Sequence, residues 1–348
     1  MKLVYATLTA VSAAALSLAA AQADETRDFS NVKSVSFERM TGTVDLRIGG
    51  DKVSVVKTDG TNVAYPIEIG SANGAVTVLG EDDPEDRHWQ KGINWKRDHE
   101  NAFKIYLEAY PTFTVTVPAG TAVSFDDAVV LVSGGDLNGA FHAHAGYVEG
   151  RVGDLASAEI SIHSSADLIV GDIAGDLDLS IHGSGDFTGG RAATMVTRIH
   201  GSGDVILDDI GADASVSIHG SGDVELGAVG GAFAVSTHGS GDVVAAAVNG
   251  GADISVNGSS DIEIASVGGP TAASIRGSGD VEIAGGVARD LRVTIAGSGD
   301  FSHLGVATNP VLSTNGSGSI YVRDHEGTVR TQGHGDITVS GVDYSDDD

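Results

Sequence analysis

The sequence predicts an all-β protein, a parallel β-helix or β-solenoid with rungs of about 19 residues, and three observations carry that expectation. First, a turn motif recurs. Ile218-His219-Gly220-Ser221-Gly222-Asp223-Val224 is repeated almost unchanged from Ile181 to Val243 and in looser form up to Phe301. Its Asp falls at 167, 186, 204, 223, 242, 261, 280 and 300, with separations of 19, 18, 19, 19, 19, 19 and 20 residues. Second, apolar and polar residues alternate between the turns. Ala214, Val216 and Ile218 are set against Ser215, Ser217 and His219, the pattern of a strand with one buried face. Third, 49 of the 348 residues are Gly while only 5% are aromatic, so the core must be built from Val, Ile, Leu and Ala beside many tight turns.

A single unit of this length cannot bury its apolar face, but stacked copies place like residues above one another and make a continuous core. Some ten rungs spaced roughly 4.8 Å apart form a rod on the order of 50 Å long. Sandwiches and propellers need units of longer period.

From the N-terminus, Met1-Lys2, the apolar Leu3–Ala20 and the A-x-A site Ala21-Gln22-Ala23 read as a signal peptide over residues 1–23. The mature protein is expected in the periplasm, at the outer surface or secreted, with no membrane span once the signal is cleaved. Residues 24–118 read as a β-rich capping or first-rung region, with strand-like runs Val44–Ile48 and Val53–Val56 but no G-S-G-D punctuation. Within it, 81–104 is an excursion that holds both tryptophans, Trp89 and Trp95, among Arg87, Lys91, Lys96 and Arg97. Phe113–Val117 resumes the alternation. Residues 119–340 are the rungs, each adding a second short strand such as Val224-Glu225-Leu226 and a Gly-flanked apolar residue such as Val229, Val248 or Val267. Residues 341–348 form an acidic tail that discourages end-to-end pairing of a terminal rung.

Composition excludes several functions. With 48 acidic and 20 basic side chains the formal charge is −28, and no dense basic patch exists to neutralise a phosphate backbone, so nucleic acid is not an expected partner. The absence of Cys removes disulfides, thiolate metal sites and cysteine nucleophiles.

The string Val115-Thr116-Val117-Pro118 followed by seven G-S-[GS]-D copies resembles the autotransporter-adhesin head domain family, the GIN-domain proteins, over roughly residues 30–340. That resemblance implies an exported β-helix-like protein of adhesin type, and it carries over no catalytic residues. The chain stops soon after its last rung, so no translocator barrel is expected with it.

Two columns of side chains bear chemistry. Stacking aligns Asp186, Asp204, Asp223, Asp242, Asp261, Asp280 and Asp300, and neighbouring carboxylates about 4.8 Å apart repel by roughly 1 kcal/mol in water and 3–4 at an effective dielectric near 20. A structural turn ladder, in which each Asp accepts hydrogen bonds from Ser or N–H groups of its own turn, relieves this. Bound Ca²⁺ is the alternative, although Asp directly after the second Gly and a period of 19 depart from the nonapeptide calcium solenoids. His163, His182, His200, His219 and His238 form a second column four residues before each Asp. Its readings are a transition-metal strip on His182, His200, His219 and His238, a pH-sensitive surface, or outward rings bonded to the turn. Asn257, Arg276, Ala296 and Asn315 fill the same slot later, so the slot tolerates non-ligands.

Catalysis needs a pair of groups made different by their surroundings, whereas this sequence repeats one environment many times. The expected function is therefore a non-enzymatic, adhesin-like envelope interaction or scaffold protein without a cofactor. A glycan or an envelope surface protein is its expected partner, met through Trp89, Trp95 and the basic residues beside them. A metal-binding solenoid and a polysaccharide-acting β-helix enzyme are the alternatives.

Overall fold

The computed structural model describes residues 25–61, 65–80, 103, 104, 106–163, 165 and 167–345. They form a parallel β-solenoid of about eleven turns with rungs of about 19 residues, the fold class expected from the spacing. One sheet stacks the strands that precede the turns: Ser157–Ile162, Ile173–Ile181, Ala192–Ile199, Ala214–Ile218, Phe233–Thr237, Ala252–Val256, Pro270–Ile275 and Val287–Ile295. A second sheet stacks the short strands that follow the turns, among them Val205–Leu207, Val224–Val229, Val243–Val248 and Ile262–Ile264. The Gly-flanked apolar residues make the third side, where single bridges link Ala192 to Ile210, Ile210 to Val229 and Val248 to Val267.

Alternation sets what points inward. Ala214, Val216 and Ile218 are buried while His219 is exposed, as their period-two pattern requires. Like sits on like: Val216 pairs in register with Val235, and Val235 with Ile254. The turn glycines are needed for close approach. A Cβ on Gly220 would lie 1.9 Å from the carbonyl oxygen of Gly201 on the preceding rung.

The Asp ladder differs from the expected arrangement. Each carboxylate accepts a hydrogen bond from the next rung, not from its own turn. The Asp223 N–H donates to Asp204 Oδ1 at 2.8 Å, the Asp242 N–H to Asp223 Oδ1 at 2.8 Å, and the pattern runs from Asp167 to Asp300, whose Oδ1 takes the Ser319 N–H. Each Asp carbonyl in turn accepts from the preceding rung, as the Val205 N–H donates to Asp223 O at 2.9 Å. The reason is geometric. At this corner the rung-to-rung direction is the one along which backbone groups look for partners, and the carboxylate stands in for a missing main-chain acceptor.

At the N-terminal end the order is not sequential. Ser34–Glu38 and Thr41–Ile48 lie between Ala122–Asp126 and Val129–Gly134 on one side and Ala75–Gly80 and Thr112–Val117 on the other. Antiparallel strands Glu25–Phe29 and Val53–Thr58 follow Thr112–Val117, and Ile67–Ala72 pairs antiparallel with Ala75–Gly80. At the other end Val342–Asp343 runs antiparallel to Ile337–Val339. Reversed strands at both ends break the parallel register that another rod would need for stacking.

Two register shifts interrupt the first sheet. One falls between Ile173 and Asp176, where the offset to the next strand drops from 19 to 18 (Ile173 to Ala192, Asp176 to Thr194). The other falls between Pro270 and Ala272, where the offset rises from 19 to 20 (Pro270 to Arg289, Ala272 to Arg292). Asp290, in the rung that gains a residue, sits at φ 46°, a left-handed conformation that Asp tolerates better than most side chains.

Candidate functional site

Between these two shifts the outer surface of the first sheet is hollow. A groove of about 590 Å³ runs across six rungs, from Thr194–Val196 through the equivalent positions of the next four strands to Asp290 and Arg292. Five rung steps make it about 24 Å long. Its hollowness follows from side-chain size: Ala232, Ala234, Gly251, Pro270 and Ala272 occupy outward positions that elsewhere carry larger groups such as Asp178. The two ends coincide with the rung that lost a residue and the rung that gained one, since each shift displaces the backbone against the uniform stack between them.

Polar groups on the groove are few. Asp213, Asp253 and Asp290 are its carboxylates and Arg292 its cation. Asp213 Oδ1 takes the Ala232 N–H at 2.8 Å, which fixes that side chain at the groove. Counting along the axis, the carboxylates stand on every second rung, and Asp253 lies two residues along its strand from the row of Asp213, while Asp290 sits within the register shift at the end rung. Sequence reading missed this groove. Its signals were the 18- and 20-residue spacings and the run of Ala, Gly and Pro at outward strand positions.

The histidines do come together. His163, His182, His200, His219 and His238 stack face to face, with centroids 5.0, 5.1, 5.0 and 4.8 Å apart and planes within 6° of parallel. His182 Nδ1 lies 3.4 Å from Ser180 Oγ on its own strand. Partial burial, and then the flanking imidazoles of His163 and His200, hold the His182 pKa below its usual value. In parallel rings the nitrogen lone pairs run side by side and do not converge on a shared ion. Among the described residues no group of three or more His, Asp or Glu is placed to hold a metal.

Two further features were not foreseen. A second carboxylate ladder follows the third side: Asp136 accepts from the Asp154 N–H and Asp154 from the Asp172 N–H. Asp172 then meets Arg191, whose Nη2 and Nε lie 2.6 and 3.2 Å from Oδ2, and this guanidinium holds the Asp172 carboxyl below the usual carboxylate range. In the second sheet His303 is fully buried between Ile283 and Val322 of the adjoining rungs, with no hydrogen-bond partner on either ring nitrogen. Trp89, Trp95, Arg87, Lys91, Lys96 and Arg97 lie outside the described residues, as does the segment read as a signal peptide. Among the described residues no helix is long and apolar enough to cross a membrane.

Residues 112–247 match the family model described as "Putative auto-transporter adhesin, head GIN domain". A search among curated proteins found no match. Among solved structures the chain is similar to a "putative adhesin" from Bacteroides fragilis at 16% identity, with 91% of this chain and 97% of that one covered and a TM-score of 0.23. It is also similar to a "putative adhesin" from Parabacteroides merdae at 12% identity, with 91% and 95% covered and a TM-score of 0.29. A third, from Parabacteroides distasonis, is 13% identical over 89% and 97% with a TM-score of 0.24. At TM-scores below 0.5 these likenesses carry no functional weight, and the family resemblance rests on the sequence match and the rungs it spans. Over residues 112–247 this chain is similar to the auto-transporter adhesin head GIN domain family.

Proposed function

We propose that the protein is an exported, non-catalytic contact protein of the cell envelope, and that the groove between Val196 and Arg292 is the surface through which it holds its partner. The observation that supports this is the groove itself. The outer face of the first sheet is hollow over six consecutive rungs, and its volume of about 590 Å³ is that of a ligand site. The adhesin-type family match agrees with an exported or surface role.

An enzyme reading finds less support. The ladder carboxylates from Asp186 to Asp280 share one environment and one hydrogen-bond pattern, with no member set apart as acid or base.

The test is to fill the groove. Ala234→Trp adds a large ring at an exposed strand position, where aromatic residues are well tolerated. Binding of the labelled protein to whole cells of its source is expected to fall at least tenfold, with the melting temperature unchanged. Undiminished binding by a folded Ala234→Trp protein would remove the groove as the contact surface.

A further inference from the structure

We propose that the groove takes a linear aliphatic chain carrying ammonium groups, a ligand of the polyamine or long-chain diamine class. This deepens the groove reading and rests on it.

The floor selects the aliphatic part. Ala232, Ala234, Gly251 and Ala272 present methyl groups and bare backbone, and the main-chain N–H and C=O groups of these strands are spent on the strands above and below. A peptide laid along this floor would have to leave its own backbone groups without partners, at roughly 1–3 kcal/mol for each one buried. A sugar chain would meet no open aromatic face, since Phe233, the one ring at the groove, is only 1% exposed. A methylene chain has neither requirement and gains from contact with the floor along its length.

The rim selects the charge. Three carboxylates face one guanidinium, so the lining is net negative in a chain of formal charge −28, and a fatty acid or other anionic amphiphile is opposed along most of the groove. Arg292 stands at the end rung beside Asp290, which leaves Asp213 and Asp253 as the carboxylates of the open stretch. They are two rungs apart, roughly 10 Å along the axis. They also stand in the two neighbouring outward rows of the floor, Asp213 in line with Ala232 and Gly251 and Asp253 in line with Ala234 and Ala272. Two ammonium groups joined by a chain of about that reach can each meet a carboxylate while the methylenes between them cross the alanines. A shorter diamine must be fully stretched to reach both ends and covers less of the apolar floor.

The chain length makes the proposal testable. Isothermal titration at low ionic strength would compare diaminooctane, diaminobutane and octanoate as probes. Diaminooctane is expected to bind saturably and at least tenfold more tightly than diaminobutane, and octanoate not to bind. Asp213→Asn retains an acceptor for the Ala232 N–H, so the fold is preserved, and with Asp253→Asn it should weaken diaminooctane at least tenfold. Equal affinity for the two diamines would mean general attraction of cations to an acidic rod and would overturn the proposal, as would binding of octanoate or indifference to both substitutions. The two levels separate cleanly: if Ala234→Trp abolishes cell binding while diaminooctane fails to bind, the groove stands and this ligand class falls.

Discussion

Replacing His303 by Val should stabilise the protein, and by more in acid than at neutral pH. His303 occupies a core position between Ile283 and Val322, is 0% exposed, and has no partner for Nδ1 or Nε2. Even neutral, a buried polar group left unbonded costs about 1–3 kcal/mol. Valine is somewhat smaller than histidine, and the loss of roughly one methylene of packing gives back about 1 kcal/mol, for a net gain of about 0–2, centred near 1, at neutral pH. Burial lowers the pKa of His303, and the neighbouring Arg323 adds to that. Backbone groups of Val306 and Ile283 pull the other way without reaching bonding geometry.

The folded pKa therefore lies below the unfolded value near 6.5. Above that pH neither state holds the proton and this histidine gives no pH dependence. As pH falls below it, the unfolded chain takes up a proton that the folded chain resists, and stability drops by up to about 1.4 kcal/mol per pH unit until the folded pKa is reached. Thermal melts of wild type and His303→Val followed by circular dichroism at pH 7.5, 6 and 5 isolate this contribution as a difference, because the exposed histidine stack is common to both. A gap of a few degrees that widens with acid is expected. A variant less stable than wild type at every pH, or a gap that does not widen, would refute the reasoning and place a bonding partner at the imidazole.

The remaining predictions concern the ladder and the aromatic segment. Asp223→Asn keeps an acceptor for the Asp242 N–H and relieves like-charge repulsion, so it should shift stability by less than about 1 kcal/mol, whereas Asp223→Ala should cost about 1–2; urea titration of both checks this. Because the carboxylates are held by main-chain donors, chelator and added Ca²⁺ should leave the melting temperature unchanged, and a drop in chelator reversed by Ca²⁺ would make the ladder a metal site. Substituting Trp89 and Trp95 together by Ala distinguishes a contact patch from a core cap. Lost cell binding at unchanged melting temperature supports the patch, and a large fall in stability supports the cap.

Much of the scaffold is written locally and is legible for that reason. Ala214-x-Val216-x-Ile218 announces a buried strand face, and Gly220-Ser221-Gly222-Asp223 announces a corner, because each follows from its own period and turn chemistry. The column of histidines was legible too, since a fixed spacing in a stacked repeat places like above like. What the spacing could not tell was the direction of each hydrogen bond. Whether Asp223 turns to its own turn or to Asp242 depends on which backbone groups lack partners at that corner, a property of two rungs together.

The groove was less visible still. Its small residues, Ala232, Ala234 and Ala272, look like unremarkable strand positions until the rungs are aligned, and the 18- and 20-residue intervals acquire meaning only as shifts of one rung against the next. The placement of Ser34–Ile48 between strands far later in the chain follows from long-range pairing that no local pattern encodes.

Ladder, histidine stack and groove all depend on one claim, that a 19-residue unit is one rung. Deleting residues 205–223 tests it most directly. The cut joins Asp204 to Val224, and because Val205 and Val224 are in-register neighbours, the rung below receives the same strand it had before. The account predicts a cooperatively folded protein with undiminished β circular dichroism and a rod shorter by one rung, about 4.8 Å, in small-angle X-ray scattering. Deleting only nine of those residues should turn the inward side chains out and collapse the fold. Equal loss of β signal in both variants would contradict the claim.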